Sequence, residues 1–323
     1  GKYLISANAS SVGVPSIAQP VSYLKSININ IPSLKYQSLI VNLLQSFDDK
    51  IELSNQINFE LNEFAKKLFN FWFIDFVPII EKNNKLSNEI LNLFPNSFEK
   101  TKIGNIPKGW KISKIGDHIK IIKGKSYSSS DLLKSNTALV TLKSFKRNGG
   151  YREDGLKDYV GLFKEEQITK DGDLIVALTD VTQEGDVIGK PAIVIGNEKY
   201  DNLVISCDVA ILKNLKESIL SKSFIYYLML TYKYAQNSIG YTNGTNVLHL
   251  EKEAITDFTF ALPNNQKLVE KFDDISLLIQ KKISMNSRTN NVLLEIKNIF
   301  LPKLISGELK IVDAKKLISE INI

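Results

Sequence analysis

Two stretches of the chain place an apolar residue every three or four positions. The first runs from about Leu39 to Phe73 and carries Ile40, Leu44, Phe47, Ile51, Ile57, Leu61, Phe64, Leu68 and Trp72. The second runs from about Leu268 to Leu304 through Phe272, Ile275, Ile279, Ile283, Leu293, Ile296 and Phe300. That spacing lines one face of an α-helix. At 1.5 Å per residue each helix reaches roughly 50 Å, too long to stand without a partner, and each is most simply the partner of the other. Polar residues interrupt both seams midway: Ser54, Asn55 and Asn58 in one, Asn286, Asn290 and Asn291 in the other. Asparagine buried between helices costs stability but fixes register; the rival reading is that the stripe drifts there and these residues face water.

Between the helical stretches the period shortens. The segments "WKISKI", "IKIIKG", "ALVTLKSF", "DLIVALTD", "PAIVIG" and "VAILKN" read as short strands separated by turn residues, and "ESILSKSFIYYLMLTYKYAQNSI" at 217–239 reads as one helix. Many strands with a single helix predict an α+β domain built on a bent mixed sheet and flanked by the two long helices. The order also repeats. Gly13 and Pro32 recur as Gly244 and Pro263, and each proline follows an alternating segment (Ile27, Ile29, Ile31; Phe258, Phe260, Leu262) that reads as a strand and precedes a helix.

Composition narrows the function classes. No run of eighteen apolar residues is present, so no membrane span is expected, and "GKYLISANASS" lacks the apolar length of a secretory signal; a cytoplasmic protein is expected. Cys207 is the single cysteine and His118 and His249 the only histidines, which predicts neither a disulfide framework nor a zinc site. "KIIKGKSYS" contains Gly124, Lys125 and Ser126, but Ile119 stands where a phosphate-binding loop needs glycine. Asp171 and Asp173 have calcium-loop spacing, yet Ile175 occupies the third ligand position. Neither a cofactor-binding glycine loop nor a base-holding Asn/Asp-Pro-Pro segment of a DNA methyltransferase is found, so no cofactor and no catalytic residue are predicted. The formal charge is +6, but it is unevenly placed: 118–152 holds eight Lys/Arg against Asp131 alone, and 153–186 holds ten acids against three lysines. That polarity suits a face turned toward a polyanion, or two solvated loops that neutralise each other.

Four segments, in order, carry a resemblance that covers essentially the whole chain: "LFNFWFIDF" (68–76), "IGNIPKGWKISKIGDHIKIIKGKSY" (103–127), "GDLIVALTDVTQEGDVIGKPAIV" (172–194) and "IFLPKLISGELKI" (299–311). The chain resembles the specificity subunit of type I restriction-modification systems. The resemblance implies two target-recognition domains that read the halves of a split DNA sequence, each followed by a long helix. The helices pair as an antiparallel coiled coil, and methyltransferase subunits pack on them. Here it implies a remnant of a first recognition domain at 1–36, a first long helix at 37–76 and a linker at 77–102. A second recognition domain at 103–264, a second long helix at 265–306 and a tail at 307–323 complete the expected order. Double-stranded DNA and methyltransferase subunits are the implied partners, with a restriction subunit and self-association of a shortened form also open. A decoy that holds methyltransferase subunits without reading DNA is the alternative.

For such a domain, Lys123, Lys125, Lys143, Lys146, Arg147 and Arg152 are the expected phosphate contacts. The base-reading loops are expected at 179–185 and 240–249, with Ser126, Tyr127, Thr182, Gln183, Tyr241, Thr242, Asn243, Thr245, Asn246 and His249 as candidates. Asn, Thr, Ser and Gly are also what tight turns require, so each of these residues has a purely structural reading beside it. Leu68, Phe71, Trp72 and Phe73 are the expected docking patch for the methyltransferase, against burial in the following domain.

Overall fold

The computed structural model describes residues 20–27, 31–81, 86–182 and 184–320. Its elements begin with α1 (Pro20–Ser26), α2 (Leu34–Phe69), a π-helical turn at Asn70–Ile74, and the single turns α3 (Val77–Ile80) and α4 (Asn88–Leu91). Then come β1 (Phe98–Thr101), β2 (Gly104–Pro107), β3 (Lys111–Lys114), β4 (Ile119–Lys123), β5 (Thr137–Val140), β6 (Lys157–Asp158) and β7 (Ile168–Thr169). They are followed by β8 (Leu174–Ala177), β9 (Thr179–Asp180), β10 (Pro191–Ile193), β11 (Asn202–Ile205) and β12 (Val209–Asn214). The chain ends through α5 (Lys222–Met229), α6 (Tyr232–Gly240), β13 (Thr242–Asn243), β14 (Leu248–Leu250), α7 (Glu253–Thr256), β15 (Thr259–Leu262), α8 (Gln266–Ser306) and α9 (Ile311–Glu320).

The residues fall into two compact units, Gly1–Asn55 with Ser287–Ile323, and Gln56–Asn286. The first holds the start of α2, the end of α8 and α9. Its core is the predicted seam: Ile40, Leu44 and Phe47 with Leu293, Ile296, Phe300 and Leu304, closed by Ile311 and Ala314. Lys297 donates to both carboxylate oxygens of Asp48 (2.5 and 2.6 Å) and Asn290 Nδ2 to Asn55 Oδ1 (3.0 Å). The partner number falls as the residue number rises, so the helices pair antiparallel in this unit. The remnant expected at 1–36 falls mostly outside the described residues, as does Ile29; Ile27 and Ile31 belong to no strand.

The second unit is layered. Sheet order β10-β8-β12-β4 is antiparallel throughout, whereas β6-β5-β11-β7 contains the parallel pair β5/β11. Side chains of β8 and β12 alternate between two cores. Leu174, Val176, Ala210 and Leu212 face a helical core, and Ile175, Ala177, Val209 and Ile211 face the other sheet. Burial on both faces is why "LIVA" reads as an unbroken apolar run. The helical core joins Phe69, Trp72 and Phe73 to Phe224 and Phe272, with rings as close as 4.9 Å for Phe73 and Phe224. Asn286 Nδ2 donates to Asn58 Oδ1 at 2.7 Å in this unit, again between α8 and α2.

Three expectations change. Trp72 and Phe73 are 1% and 3% exposed, and Leu68 and Phe71 pack half-buried on the same core, so the aromatic cluster fills the domain interior and leaves no patch for docking. The helix expected over 217–239 is two helices: Thr231 Oγ1 accepts from the Tyr234 backbone and caps α6, as Ser221 caps α5. Ile57 and Phe64, counted in the first seam, are 40% and 55% exposed because the stripe drifts off the contact face there.

Candidate nucleic-acid interface

The rim of the second unit is organised by two buried or half-buried carboxylates. Beyond β8 the chain continues into β9, which pairs with β14, and β14 pairs with β13, a three-stranded ladder with Leu248 opposite Asp180 and His249 opposite Thr179. Asp180 is 1% exposed and accepts from Thr182 N and Oγ1 (both 2.8 Å), Val187 N (2.7 Å) and Ile188 N (3.2 Å). Burial pushes its carboxyl up, but these donors outweigh burial and hold it below its ordinary value. Asp208 accepts from Thr179 Oγ1 at 2.8 Å and its carbonyl accepts from Leu178 N at 2.7 Å, which ties the 206–208 turn to the start of β9.

Two further segments meet this rim. Lys125 bridges Ser206 in parallel register, and its carbonyl accepts from Cys207 N at 2.8 Å. Gly124 allows the approach, since a Cβ there would lie 2.1 Å from the Ser206 carbonyl oxygen. On the other side Asn148 N donates to the Asp186 carbonyl (3.1 Å), Gly150 N to that of Pro191 (2.9 Å), and Arg147 pairs with the Asp186 carboxylate at 3.2 Å. The predicted reading loops 179–185 and 240–249 are thus adjacent, with the basic segments 124–126 and 146–150 beside the first.

The candidates differ in what their side chains already do. Lys123, Lys125 and Lys143 are exposed and without an ion pair among the described residues, whereas Arg147 is held by Asp186 and Arg152 by both oxygens of Asp154 (3.0 and 2.6 Å). Lys146, exposed at its surface, is held below its ordinary value by the protein packed around its stem first and then by Arg152 nearby, with Asp154 opposing. Lys123 ends β4 opposite Ala210, with its carbonyl accepting from Gln167, and is the candidate least tied to the rim.

Among the reading candidates, Thr182 serves the Asp180 turn, Thr242 Oγ1 donates to the Ser238 carbonyl (2.8 Å), and Asn243 Nδ2 donates to Glu251 (2.5 Å). Ser126 is exposed and lies beside the Cys207 thiol. Tyr127 packs half-buried on Leu139, Tyr159 and Val204 with the Lys157 ammonium 5.6 Å from its ring, and burial raises its hydroxyl pKa. Tyr241, Thr245, Asn246 and His249 are exposed, and the last three make no side-chain hydrogen bond among the described residues. Gln183 lies outside the described residues. Sequence reasoning missed Asp180 and Asp208; the signal for the first was "TDVT", an Asp two residues before a threonine whose backbone and hydroxyl it can bind.

Comparison with known proteins agrees with the geometry. The family model described as the type I restriction modification DNA specificity domain matches residues 4–63 and 107–295. The chain is 26% identical over 302 residues to the specificity subunit of the type I restriction enzyme MjaIX of Methanocaldococcus jannaschii, covering 90% of this chain and 62% of that one. It is 22% identical over 331 residues to the HindI specificity subunit of Haemophilus influenzae, covering 88% and 69%. The chain thus spans under two thirds of the first relative's length. Among solved structures, the type I restriction-modification S subunit from M. genitalium shares the fold with a TM-score of 0.51 at 15% identity, over 93% of this chain and 68% of that one. With most of its length matched by the family model, the chain belongs to the type I restriction-modification DNA specificity domain family.

Proposed function

We propose that this chain recognises DNA sequence and catalyses no reaction of its own. The domain at 103–264 reads one half of a bipartite target and the long helices seat methyltransferase subunits. The observation that carries the reading is the convergence of β9, β13 and β14 with the 124–126, 146–150 and 206–208 segments, which sets exposed amide, imidazole and hydroxyl groups beside lysines. Base edges are read by such groups and phosphates by such cations. Ile57 and Phe64, 40% and 55% exposed two turns apart on one face of α2, offer a helix surface for a partner in place of the buried aromatic cluster.

Selection of random duplex DNA by the full chain, with and without the cognate methyltransferase subunit, tests the proposal. The reading requires enrichment of a short sequence that weakens when Asn243 and Asn246 are both changed to Ala. Stable capture of the methyltransferase with no enriched sequence would overturn DNA reading and leave a subunit-holding protein.

A further inference from the structure

Two valines on this rim remain without a role. Val181 follows β9 directly and Val247 precedes β14 directly, so in a ladder that sets Leu248 against Asp180 both leave at the same end. They are 69% and 38% exposed, next to a Thr179–Asp180 pair that is 6% and 1% exposed. Neither is on a loose loop. The Asp180 carboxylate accepts from the backbone N–H of Thr182, so Val181 lies between the two ends of that bond, and from Val187 N further on. Gly244, at φ +113°, closes the hairpin so tightly that a Cβ would lie 2.1 Å from the Val247 carbonyl oxygen. Two fixed, exposed β-branched side chains are therefore presented together.

Their surroundings select the occupant. A protein partner buries about 800 Å² a side, far more than two valines offer. Thr245, Asn246 and His249 beside them are exposed polar groups, with His249 two residues along the chain from Val247. A small apolar point set among hydrogen-bonding groups matches one edge in duplex DNA: thymine in the major groove carries a 5-methyl group next to the O4 acceptor. We propose that Val181 and Val247 contact the 5-methyl group of a thymine in the recognised half-site. This rests on the DNA-reading function proposed above.

The test uses the full chain and the duplex enriched by selection, with each thymine replaced in turn by deoxyuridine, which lacks only that methyl. Burying one methyl group corresponds to about a fourfold change in affinity. We expect a loss of about that size at one or two positions, and no loss at those positions in the Val181→Ala/Val247→Ala variant. Both side chains are exposed, so the variant should unfold at the wild-type temperature. Equal affinity for thymine and deoxyuridine at every position, with sequence preference intact, would overturn the methyl contact alone. So would a penalty of the same size in wild type and variant, or an enriched site without an A·T pair. Absence of any sequence preference would remove the DNA-reading function and this contact with it.

Discussion

Asparagine does opposite things in two regions of this molecule. In the helix seams Asn55 pairs with Asn290 and Asn58 with Asn286, amide to amide, and Asn58 and Asn290 are 8% and 6% exposed. On the β13–β14 hairpin Asn243 and Asn246 face solvent, Asn243 steadied by Glu251 and Asn246 with no side-chain partner among the described residues. The buried amides pair with one another and are costly to orphan, although Asn290 Oδ1 accepts from no donor among the described residues; the exposed ones keep hydrogen-bonding capacity for a ligand. The residue type alone does not separate register from reading. Burial and partner do.

The sharpest way to break the comparison is to remove the group that holds the reading rim in place. Asp180→Ala leaves three backbone N–H groups and a hydroxyl without their acceptor, and thermal unfolding should show a loss of about 3 kcal/mol. Because the folded state holds this carboxyl below its unfolded value, its contribution is present above the unfolded pKa and is lost as pH falls through the folded one. The wild type should therefore lose stability in acid more steeply than the variant.

In the seam, Asn58→Ala orphans Asn286 and should cost about 1 to 2 kcal/mol by chemical denaturation. The double change Asn58→Leu/Asn286→Leu should recover that loss and more, since an apolar pair packs where a polar one specified register. A seam asparagine that can be replaced by Ala at no cost would erase the distinction drawn above.

A smaller effect lies on α8, where Asp273 accepts from Ser221 Oγ at 2.5 Å. Burial pushes its carboxyl up to about 6, with the serine opposing and Asp274 and Glu270 adding to the rise. The folded state thus binds this proton more tightly than the unfolded chain, so the contribution of Asp273 to stability is greatest in acid and falls as pH rises from about 4 through about 6. Asp273→Asn keeps an acceptor for Ser221 and should gain about 1 kcal/mol at pH 8, after discounting for partial exposure, with no gain at pH 4.

Much of this architecture is legible in the sequence, for local reasons. Periodicity marks α2 and α8 because a helix face repeats within a few residues, and "LIVA" and "VAILKN" mark β8 and β12 because both faces are buried. The parallel pairing of β5 with β11 is not legible, since its register joins Thr137 to Asn202 across a long separation with no local trace. Trp72 and Phe73 mislead because dense aromatics suit a core and an interface equally. The two loops proposed to read bases stand out by composition, but their adjacency depends on the β9–β14 ladder, and Asp180 passes for an ordinary turn residue until its burial is known.

The central claim is that the hairpin amides read bases. Its most direct test is the affinity of the full chain for the enriched duplex relative to a scrambled duplex of equal length and charge, at one fixed salt concentration. The account predicts a ratio of about a thousandfold for the wild type. In Asn243→Ala/Asn246→Ala that ratio should fall by about tenfold or more, with affinity for the scrambled duplex and the unfolding temperature unchanged. A ratio near one in the wild type, or an equal loss on both duplexes in the variant, would contradict it.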